Sequence, residues 1–282
     1  DLLGLTGTTN VQGEQVQKLD EFANSAIVHT VEAGGHCCVM GSEEVEEPIL
    51  IPKQYPQGTY VLQFDPLDGS GNIDINASIG TIFSIHRRVT KDGEQGSLKD
   101  LLQKGRDIVA AGYVVYGSSN MLVYSTGDQV DGFTYDPGVG EFFLSHPKIR
   151  IPERGGIYSI NEGNYHNWSE GTQRWVDWIK APGENKKPYR LRYIGAMVAD
   201  LHRTLLRGGI FVYPPDVKNK KGKLRLLYEA SPMAFLVEAA GGAASDGTQP
   251  ILDIEPKALH QRTPVFIGSV ADVEDALRFA NS

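Results

Sequence analysis

Cysteine is scarce in this sequence: Cys37 and Cys38 are the only two among 282 residues. Adjacent cysteines are poor disulfide partners for each other and lack the spacing of a zinc site. The sequence therefore predicts neither a disulfide framework nor a structural zinc centre. A reducing compartment, the cytoplasm, is the expected location.

Long apolar runs and excess positive charge are missing as well. No stretch approaches the roughly 20 apolar residues that a transmembrane helix needs, and no signal peptide is visible, so no membrane partner is expected. Because the chain begins with Asp1 rather than Met, we expect residues to precede it. The formal net charge of −8 argues against nucleic acid as a partner, since binding it requires a basic face.

Familiar nucleotide and nucleophile signatures are also absent. The sequence contains neither G-x-G-x-x-G after an apolar run nor G-x-x-x-x-G-K-[ST], and no Ser, His or Cys lies in a recognisable nucleophile motif. What is present is a mixture of short apolar runs and helical periodicities, which predicts an α/β protein with layered sheets. Residues 151–156 are rich in Gly, Pro and charge and predict a boundary between halves spanning 1–150 and 151–282.

Local patterns predict the main elements. Helical spacing begins at Gln15 and ends at Gly34-Gly35. Further helices are predicted at 198–206, from Pro232 to Gly241, and at 270–280. Strands are predicted at 37–40, 60–64, 79–86, 108–116, 121–125, 132–135, 141–144, 157–160, 210–213 and 265–268.

An acidic turn follows the apolar run at 60–64. Pro66 cannot donate a hydrogen bond to a sheet, so the strand is predicted to end there and to leave Asp65 and Asp68 on a stiff turn. Gly69 and Gly71 allow backbone N–H groups to approach a ligand closely. Carboxylates beside free N–H groups suit hard cations bridged to a phosphate. The alternative is an ordinary surface turn, in which Asp, Pro and Gly are common.

A second acidic pair supports the ligand interpretation. Glu43 and Glu44 follow the predicted strand at 37–40, and two strands that deliver carboxylates at their C-terminal ends fit the ligand crevice of an α/β sheet. Asp20 lies away from the apolar stripe of its predicted helix and is by default a solvated residue. Residues 223, 225, 227 and 229 share strand parity, so their side chains are predicted to point to one face.

Five segments in this order resemble class I fructose-1,6-bisphosphatase: Glu43-Glu44 and residues 64–74, 159–163, 193–204 and 223–229. The resemblance implies the layered α-β-α-β-α sugar phosphatase fold with mixed sheets. It also implies hydrolysis of the 1-phosphate of fructose 1,6-bisphosphate, giving fructose 6-phosphate and phosphate in gluconeogenesis or sugar-phosphate cycling. The expected cofactor is Mg²⁺, with Mn²⁺ as a second possibility.

The resemblance also implies roles for individual residues. The metal ligands would be the carboxylates of Glu43, Glu44, Asp65, Asp68 and Glu229 with the Leu67 carbonyl, and oxygen ligands suit Mg²⁺ or Mn²⁺. Asp20 and Glu44 correspond to the pair that activates water, and Asn10 and Glu14 fall in the family's catalytic loop.

Further residues correspond to the family's substrate site. Gly69 and Ser70 would donate backbone N–H groups to the 1-phosphate. The sugar and the 6-phosphate would be bound by Asn161, Tyr193, Tyr213 and Lys223, although the two tyrosines could instead be core residues. Arg192 corresponds to an arginine that reaches the 6-phosphate of a neighbouring subunit, which implies a homotetramer.

Two alternatives to this function remain open at the level of sequence. The chain could be a related phosphatase that acts on sedoheptulose 1,7-bisphosphate or an inositol phosphate. It could also be an inactive homologue that only binds phosphosugars, although such a protein would have no need for the acidic residues.

Overall fold

The computed structural model of the chain describes residues 4–9, 15–183 and 187–282. Within these ranges the helices are α1 (Lys18–Glu32), α2 (Leu98–Leu101), α3 (Glu170–Lys180), α4 (Met197–Arg207), α5 (Ser231–Ala239) and α6 (Val270–Ala280). None of the helices described is both long and apolar enough to cross a bilayer.

The first half of the chain forms a large sheet. Strands β1 (Leu5–Thr9) and β2 (Gln15–Gln17) pair with each other outside it. The strands of the large sheet are β3 (Cys37–Ser42), β4 (Ile49–Leu50), β5 (Tyr60–Asp68), β6 (Ile79–Arg87), β7 (Ile108–Tyr116), β8 (Asn120–Ser125), β9 (Val130–Asp136) and β10 (Glu141–His146). Their order is β10-β9-β8-β7-β6-β5-β3-β4, and β3 and β5 are its parallel pair.

The second half forms a smaller mixed sheet. Its elements are β11 (Ile157–Ser159), β12 (Arg190–Leu191), β13 (Ile210–Tyr213), β14 (Leu224–Arg225), β15 (Ala243–Ser245), β16 (Arg262–Thr263) and β17 (Val265–Gly268). The order is β12-β11-β13-β17-β15, while β14 and β16 form a separate pair. Strand β11 is parallel to both neighbours, whereas β17 is antiparallel to both of its own.

The helices and sheets alternate as five layers. Helix α1 packs on the outer face of the large sheet, α4 and α5 lie between the two sheets, and α3 and α6 cover the outer face of the smaller sheet. The largest core lies in the middle layer, where Leu201 and Leu205 of α4 and Leu236 of α5 pack against both sheets. The predicted α-β-α-β-α fold is confirmed.

Several predicted elements have the expected position. The strands at 210–213 and 265–268 and the helix at 270–280 are confirmed with the same bounds, and the helix predicted at 198–206 is α4. The helix predicted from Gln15 begins instead at Lys18, because residues 15–17 pair with β1.

The prediction that the strand ends at Pro66 is wrong. Strand β5 continues to Asp68 through an irregularity, and its register against β6 shifts between Asp65 and Asp68. There the Leu67 N–H donates to the Asp65 side chain (3.0 Å) and the Pro66 carbonyl accepts from the Thr81 hydroxyl (2.8 Å). A local bulge of this kind accommodates a residue that has no N–H to donate.

The prediction of one extended face at 223–229 is also wrong. Strand β14 covers only two residues, and the backbone then forms a π-helical turn at Leu226–Ala230. Leu227 consequently packs into a core cluster with Val39 and Val61. Lys223, Arg225 and Glu229 do line one cavity, but a change of backbone conformation brings them there rather than strand alternation.

Candidate active site

Two parallel strands bring the acidic residues together. Strands β3 and β5 are hydrogen-bonded neighbours, with Ser42 opposite Phe64, so both strands end at the same edge of the sheet. The Glu43 N–H donates to the Phe64 carbonyl at 3.2 Å and continues this alignment beyond β3. Glu43, Glu44, Asp65 and Asp68 therefore line one side of a cavity of about 340 Å³, and Glu229 enters it from the π-helical turn.

Three of these carboxylates form a compact cluster. Asp65, Asp68 and Glu229 each place one oxygen within 4.8 Å of the others. The residues are buried, at 1%, 7% and 3% exposure. Burial first and the charge of Glu229 next raise the pKa of Glu43 to about 8 and that of Asp68 to about 7. Burial and the neighbouring Glu43 hold the pKa of Asp65 well above its usual range.

Protein groups offset only part of this negative charge. The Arg225 guanidinium lies 2.9 Å from Glu43 and 3.8 Å from Glu229. Backbone N–H groups also orient the cluster: Val198 donates to Asp68 and Arg225 donates to Glu229, both at 2.6 Å. Among the described residues that line the cavity, five carboxylates face only two cations, Lys223 and Arg225. Converging carboxylate oxygens with surplus negative charge fit a hard divalent cation such as Mg²⁺.

A glycine turn borders the acidic cluster. Gly69 has φ of 82° and precedes the short 3₁₀ turn Ser70–Asn72. A Cβ atom on Gly69 would lie 2.4 Å from the Cβ of Ala196, so a side chain is excluded by conformation and by space. Gly69, Ser70 and Gly71 line the cavity immediately beyond Asp68. Backbone at this position is available to an anion that also approaches the carboxylate cluster.

The opposite side of the cavity comes from the second half of the chain. Tyr213 ends β13, Tyr193 lies in the loop before α4, and Lys223 precedes β14. Burial, followed by the proximity of Tyr213, raises the pKa of the Tyr193 hydroxyl, which keeps it a neutral donor at physiological pH. Lys223 is exposed and supplies a positive charge at this side.

Two predicted substrate residues lie outside this cavity. Asn161 and Arg192 are exposed and line an adjoining recess whose wall also includes Tyr193. Tyr193 is therefore shared by the cavity and the recess. Asn161 accepts a hydrogen bond from the Gly163 N–H at 3.1 Å, and Arg192 donates to the Leu191 carbonyl at 2.7 Å.

Asp20 lies in the first turn of α1 and does not line the cavity. The default expectation of a solvated residue is wrong, because Asp20 is only 2% exposed. One helical turn later, the Asn24 side chain accepts a hydrogen bond from the Ser42 hydroxyl (2.7 Å). The Ser42 hydroxyl oxygen in turn accepts a hydrogen bond from the Glu44 N–H (3.2 Å). Since residues four apart share a helix face, Asp20 lies on the face directed toward the end of β3. Asn10 and Glu14 lie outside the described residues.

Sequence reasoning gave no site role to five residues that line the cavity: Gly195, Met197, Phe211, Leu224 and Arg225. The sequence places Arg225 only on one face of a predicted strand. Its signal was chemical, since several converging carboxylates require a buried cation among them. The apolar Met197 and Phe211 carry no comparable signal, because their place in the wall depends on how α4 and β13 pack.

Five alternating layers enclose a cavity in which a buried carboxylate cluster borders a glycine turn, the arrangement expected of a sugar phosphatase. Two family models match the chain: "Fructose-1-6-bisphosphatase, N-terminal domain" over residues 1–147 and "Fructose-1-6-bisphosphatase, C-terminal domain" over residues 151–281. The chain therefore belongs to the class 1 fructose-1,6-bisphosphatase family.

Individual relatives agree over nearly the whole chain. The class 1 fructose-1,6-bisphosphatase of Chlorobaculum tepidum is 58% identical over 280 residues, which are 99% of this chain and 84% of that protein. The enzyme of Maridesulfovibrio salexigens is 58% identical over 278 residues, covering 97% and 82%. A crystal structure of Leishmania major fructose-1,6-bisphosphatase in holo form superposes with a TM-score of 0.94 at 45% identity, covering 100% of this chain and 86% of that one.

Proposed function

We propose that this chain hydrolyses the 1-phosphate of fructose 1,6-bisphosphate to fructose 6-phosphate and phosphate, the reaction that gives its family its name. One observation carries the proposal. Buried carboxylates, a glycine turn and an opposing set of two tyrosines and a lysine all line one cavity. The first two suit a reacting phosphate, and the third suits a sugar with a second phosphate.

The proposed cofactor is Mg²⁺, with Mn²⁺ as an alternative. Glu43, Glu44, Asp65, Asp68 and Glu229 would hold it with the Leu67 carbonyl. Support comes from the raised pKa values of Glu43, Asp65 and Asp68, because these carboxyls gain from a nearby cation that favours their charged form. When bound, the ion would stabilise charge on the phosphoryl oxygens and lower the pKa of a coordinated water.

The remaining cavity residues would orient the substrate. Gly69 and Ser70 would donate backbone N–H groups to the 1-phosphate, beside the carboxylates. Lys223 would pair with the 6-phosphate, since charge-assisted hydrogen bonds to phosphate are strong. Tyr193, Tyr213 and, from the adjoining recess, Asn161 would bind the sugar and the 6-phosphate through their polar groups.

Water must lose a proton as it attacks phosphorus, and the leaving C1 oxygen must gain one, which would come from solvent. We assign the basic role to Glu44 and Asp20. Glu44 is half-buried and lines the cavity, and Asp20 lies on the helix face directed toward the same end of β3. Their carboxylates would take the proton from the attacking water.

We also propose a homotetramer in the cytoplasm. Arg192 is exposed at the recess, where it would be available to the 6-phosphate bound by a neighbouring subunit. The two cysteines are buried and unbridged, which suits a reducing compartment. Residues 1–150 would carry most metal ligands, and residues 151–282 would carry the sugar site and Glu229.

Phosphate release from purified protein tests the function. We expect the highest kcat/KM with fructose 1,6-bisphosphate in Mg²⁺ or Mn²⁺ and loss of activity in EDTA. Sedoheptulose 1,7-bisphosphate and inositol monophosphate serve as the comparison substrates. Equal or faster release from inositol monophosphate would refute the proposed substrate, and binding without turnover of any of the three would indicate an inactive homologue.

A further inference from the structure

Asp200 is a fully buried carboxylate on α4 that does not line the cavity. It lies behind residues 192–195, a loop that we name the 192–195 segment. This segment supplies Tyr193 and Gly195 to the cavity wall and Arg192 to the adjoining recess. Any group that fixes the segment therefore also fixes the wall of the proposed sugar site.

Asp200 binds the C-terminal end of the 192–195 segment, and Arg203, which pairs with Asp200, binds its N-terminal end. One carboxylate oxygen accepts from the backbone N–H groups of Ile194 (3.0 Å) and Gly195 (3.3 Å). The other oxygen accepts from the Arg203 guanidinium at 2.8 Å. The same guanidinium nitrogen donates to the Arg192 carbonyl at 3.0 Å.

These contacts matter because the segment has little regular structure of its own. Residues 192–196 belong to neither a helix nor a strand, and Gly195 has φ of 83°. Hydrogen bonds from backbone N–H groups to a buried carboxylate are stronger than neutral ones. The Asp200–Arg203 pair thus holds the backbone of this loop at Arg192, Ile194 and Gly195.

Helix α4 joins the segment to the acidic cluster. Its first turn donates the Val198 N–H to Asp68 at 2.6 Å. The Asn72 side chain, beyond the glycine turn, donates to the Ile194 carbonyl at 3.2 Å. The segment is thereby tied on both sides to the residues that would receive the reacting phosphate.

We propose that Asp200, together with Arg203, is a positioning residue that holds Tyr193 at the distance from the acidic cluster that the substrate requires. The inference rests on the proposed function, because it takes Tyr193 to be a sugar-binding residue. The competing explanation is that Asp200 only caps α4 and contributes stability.

Asp200→Asn tests the proposal, since it keeps the size of the side chain but removes the charge and one acceptor. We expect KM for fructose 1,6-bisphosphate to rise about tenfold with kcat changed much less, as for a loss of binding that is uniform through the reaction. Asp272→Asn is the matched control. Asp272 is buried on α6, accepts from the Gly155 N–H (2.8 Å) and pairs with Arg154 (3.3 Å), away from the cavity. The control should lose stability without a change in KM.

A double-mutant cycle separates positioning from stability. In a Tyr193→Ala background, Asp200→Asn should raise KM by less than about twofold, because the group that it positions is already missing. The same increase in both backgrounds, or a fall in kcat at constant KM, would overturn the proposal. If Tyr193→Ala itself leaves KM unchanged, the proposed sugar site fails as well. If only Asp200→Asn leaves KM unchanged, the role of Asp200 fails and the sugar site stands.

Arg203→Gln decides the matter if Asp200→Asn does not fold. Its side chain is 26% exposed, so the substitution is milder, yet it removes the charged donor to the Arg192 carbonyl. KM should rise in the same direction as for Asp200→Asn. A folded Arg203→Gln protein with wild-type KM would contradict the inference.

Discussion

Without a divalent cation, this enzyme should lose stability as the pH rises from 6.5 to 8. Burial raises the pKa of Glu43 from 4.5 to about 8 and that of Asp68 from 3.8 to about 7. Each carboxyl thus binds its proton more tightly in the folded chain than in the unfolded one. The stabilisation that comes from this tighter proton binding is complete below the pKa of the carboxyl in the unfolded chain. It is lost as the pH rises through the pKa of the carboxyl in the folded chain.

The pH window is chosen because buried histidines oppose the carboxyls at lower pH. Burial lowers the pKa of His86 and His202 from 6.5 to about 4, so folding gains stability from both as the pH rises to 6.5. Above that pH the remaining gain is well under about 1 kcal/mol for each histidine, because only the last half of the unfolded-state titration is left. One pKa unit corresponds to about 1.4 kcal/mol, so the contribution of Glu43 falls by on the order of 1 to 2 kcal/mol between pH 6.5 and 8.

Asp65 and Asp68 should add to this loss. For the whole cluster we expect a decrease on the order of 2 kcal/mol in the free energy of unfolding. That change lowers Tm by about 3 °C, because the unfolding entropy of a 282-residue chain is on the order of 0.6 kcal/mol/K. Saturating Mg²⁺ should remove the decline, because the cation binds the ionised carboxylates of the folded protein alone and its stabilising effect grows with pH.

Thermal unfolding followed by circular dichroism measures the effect, in EDTA and in Mg²⁺, across the same pH range. Glu43→Gln is the matched control, since it has the same length but no titrating proton, and its Tm should depend less steeply on pH. A wild-type Tm in EDTA that stays constant or rises over this range would refute the reasoning. So would identical pH slopes for the wild type and Glu43→Gln.

Three further predictions concern the cavity itself. Asp68→Asn should reduce kcat by orders of magnitude at saturating Mg²⁺ while far-UV circular dichroism stays native, since it removes a proposed metal ligand without a change in volume. Normal turnover would refute the proposed metal site. Lys223→Ala should raise KM more than it lowers kcat, because Lys223 is proposed to bind the 6-phosphate, away from the reacting bond. A collapse of kcat at constant KM would contradict that role. Gly69→Ala should lower both activity and Tm, because the new Cβ would lie 2.4 Å from the Cβ of Ala196. Gly71→Ala is the control: a Cβ at this position would have no atom within 4 Å, so Tm should be unchanged.

The sequence by itself determined the class of fold and most of its elements. Apolar periodicity located α4, α6, β13 and β17, because helices and strands that each bury one face repeat with a fixed spacing. The sequence also predicted that acidic residues lie at the C-terminal ends of two strands, β3 and β5, which are parallel neighbours in the large sheet. The five segments that resemble a known family then indicated the family, to which the chain belongs.

Only the tertiary structure decided how the residues meet. Three features depend on packing between distant parts of the chain. They are the burial of Asp20, the bulge that carries β5 past Pro66, and the π-helical turn that directs Glu229 into the cavity. The role of Arg225 as a cation of the acidic cluster is visible only in the structure, because its partner Glu43 is far from it in sequence and lies 2.9 Å away. Local patterns report which face of an element avoids water, whereas the burial and charge pairing of polar groups depend on contacts that no local pattern contains.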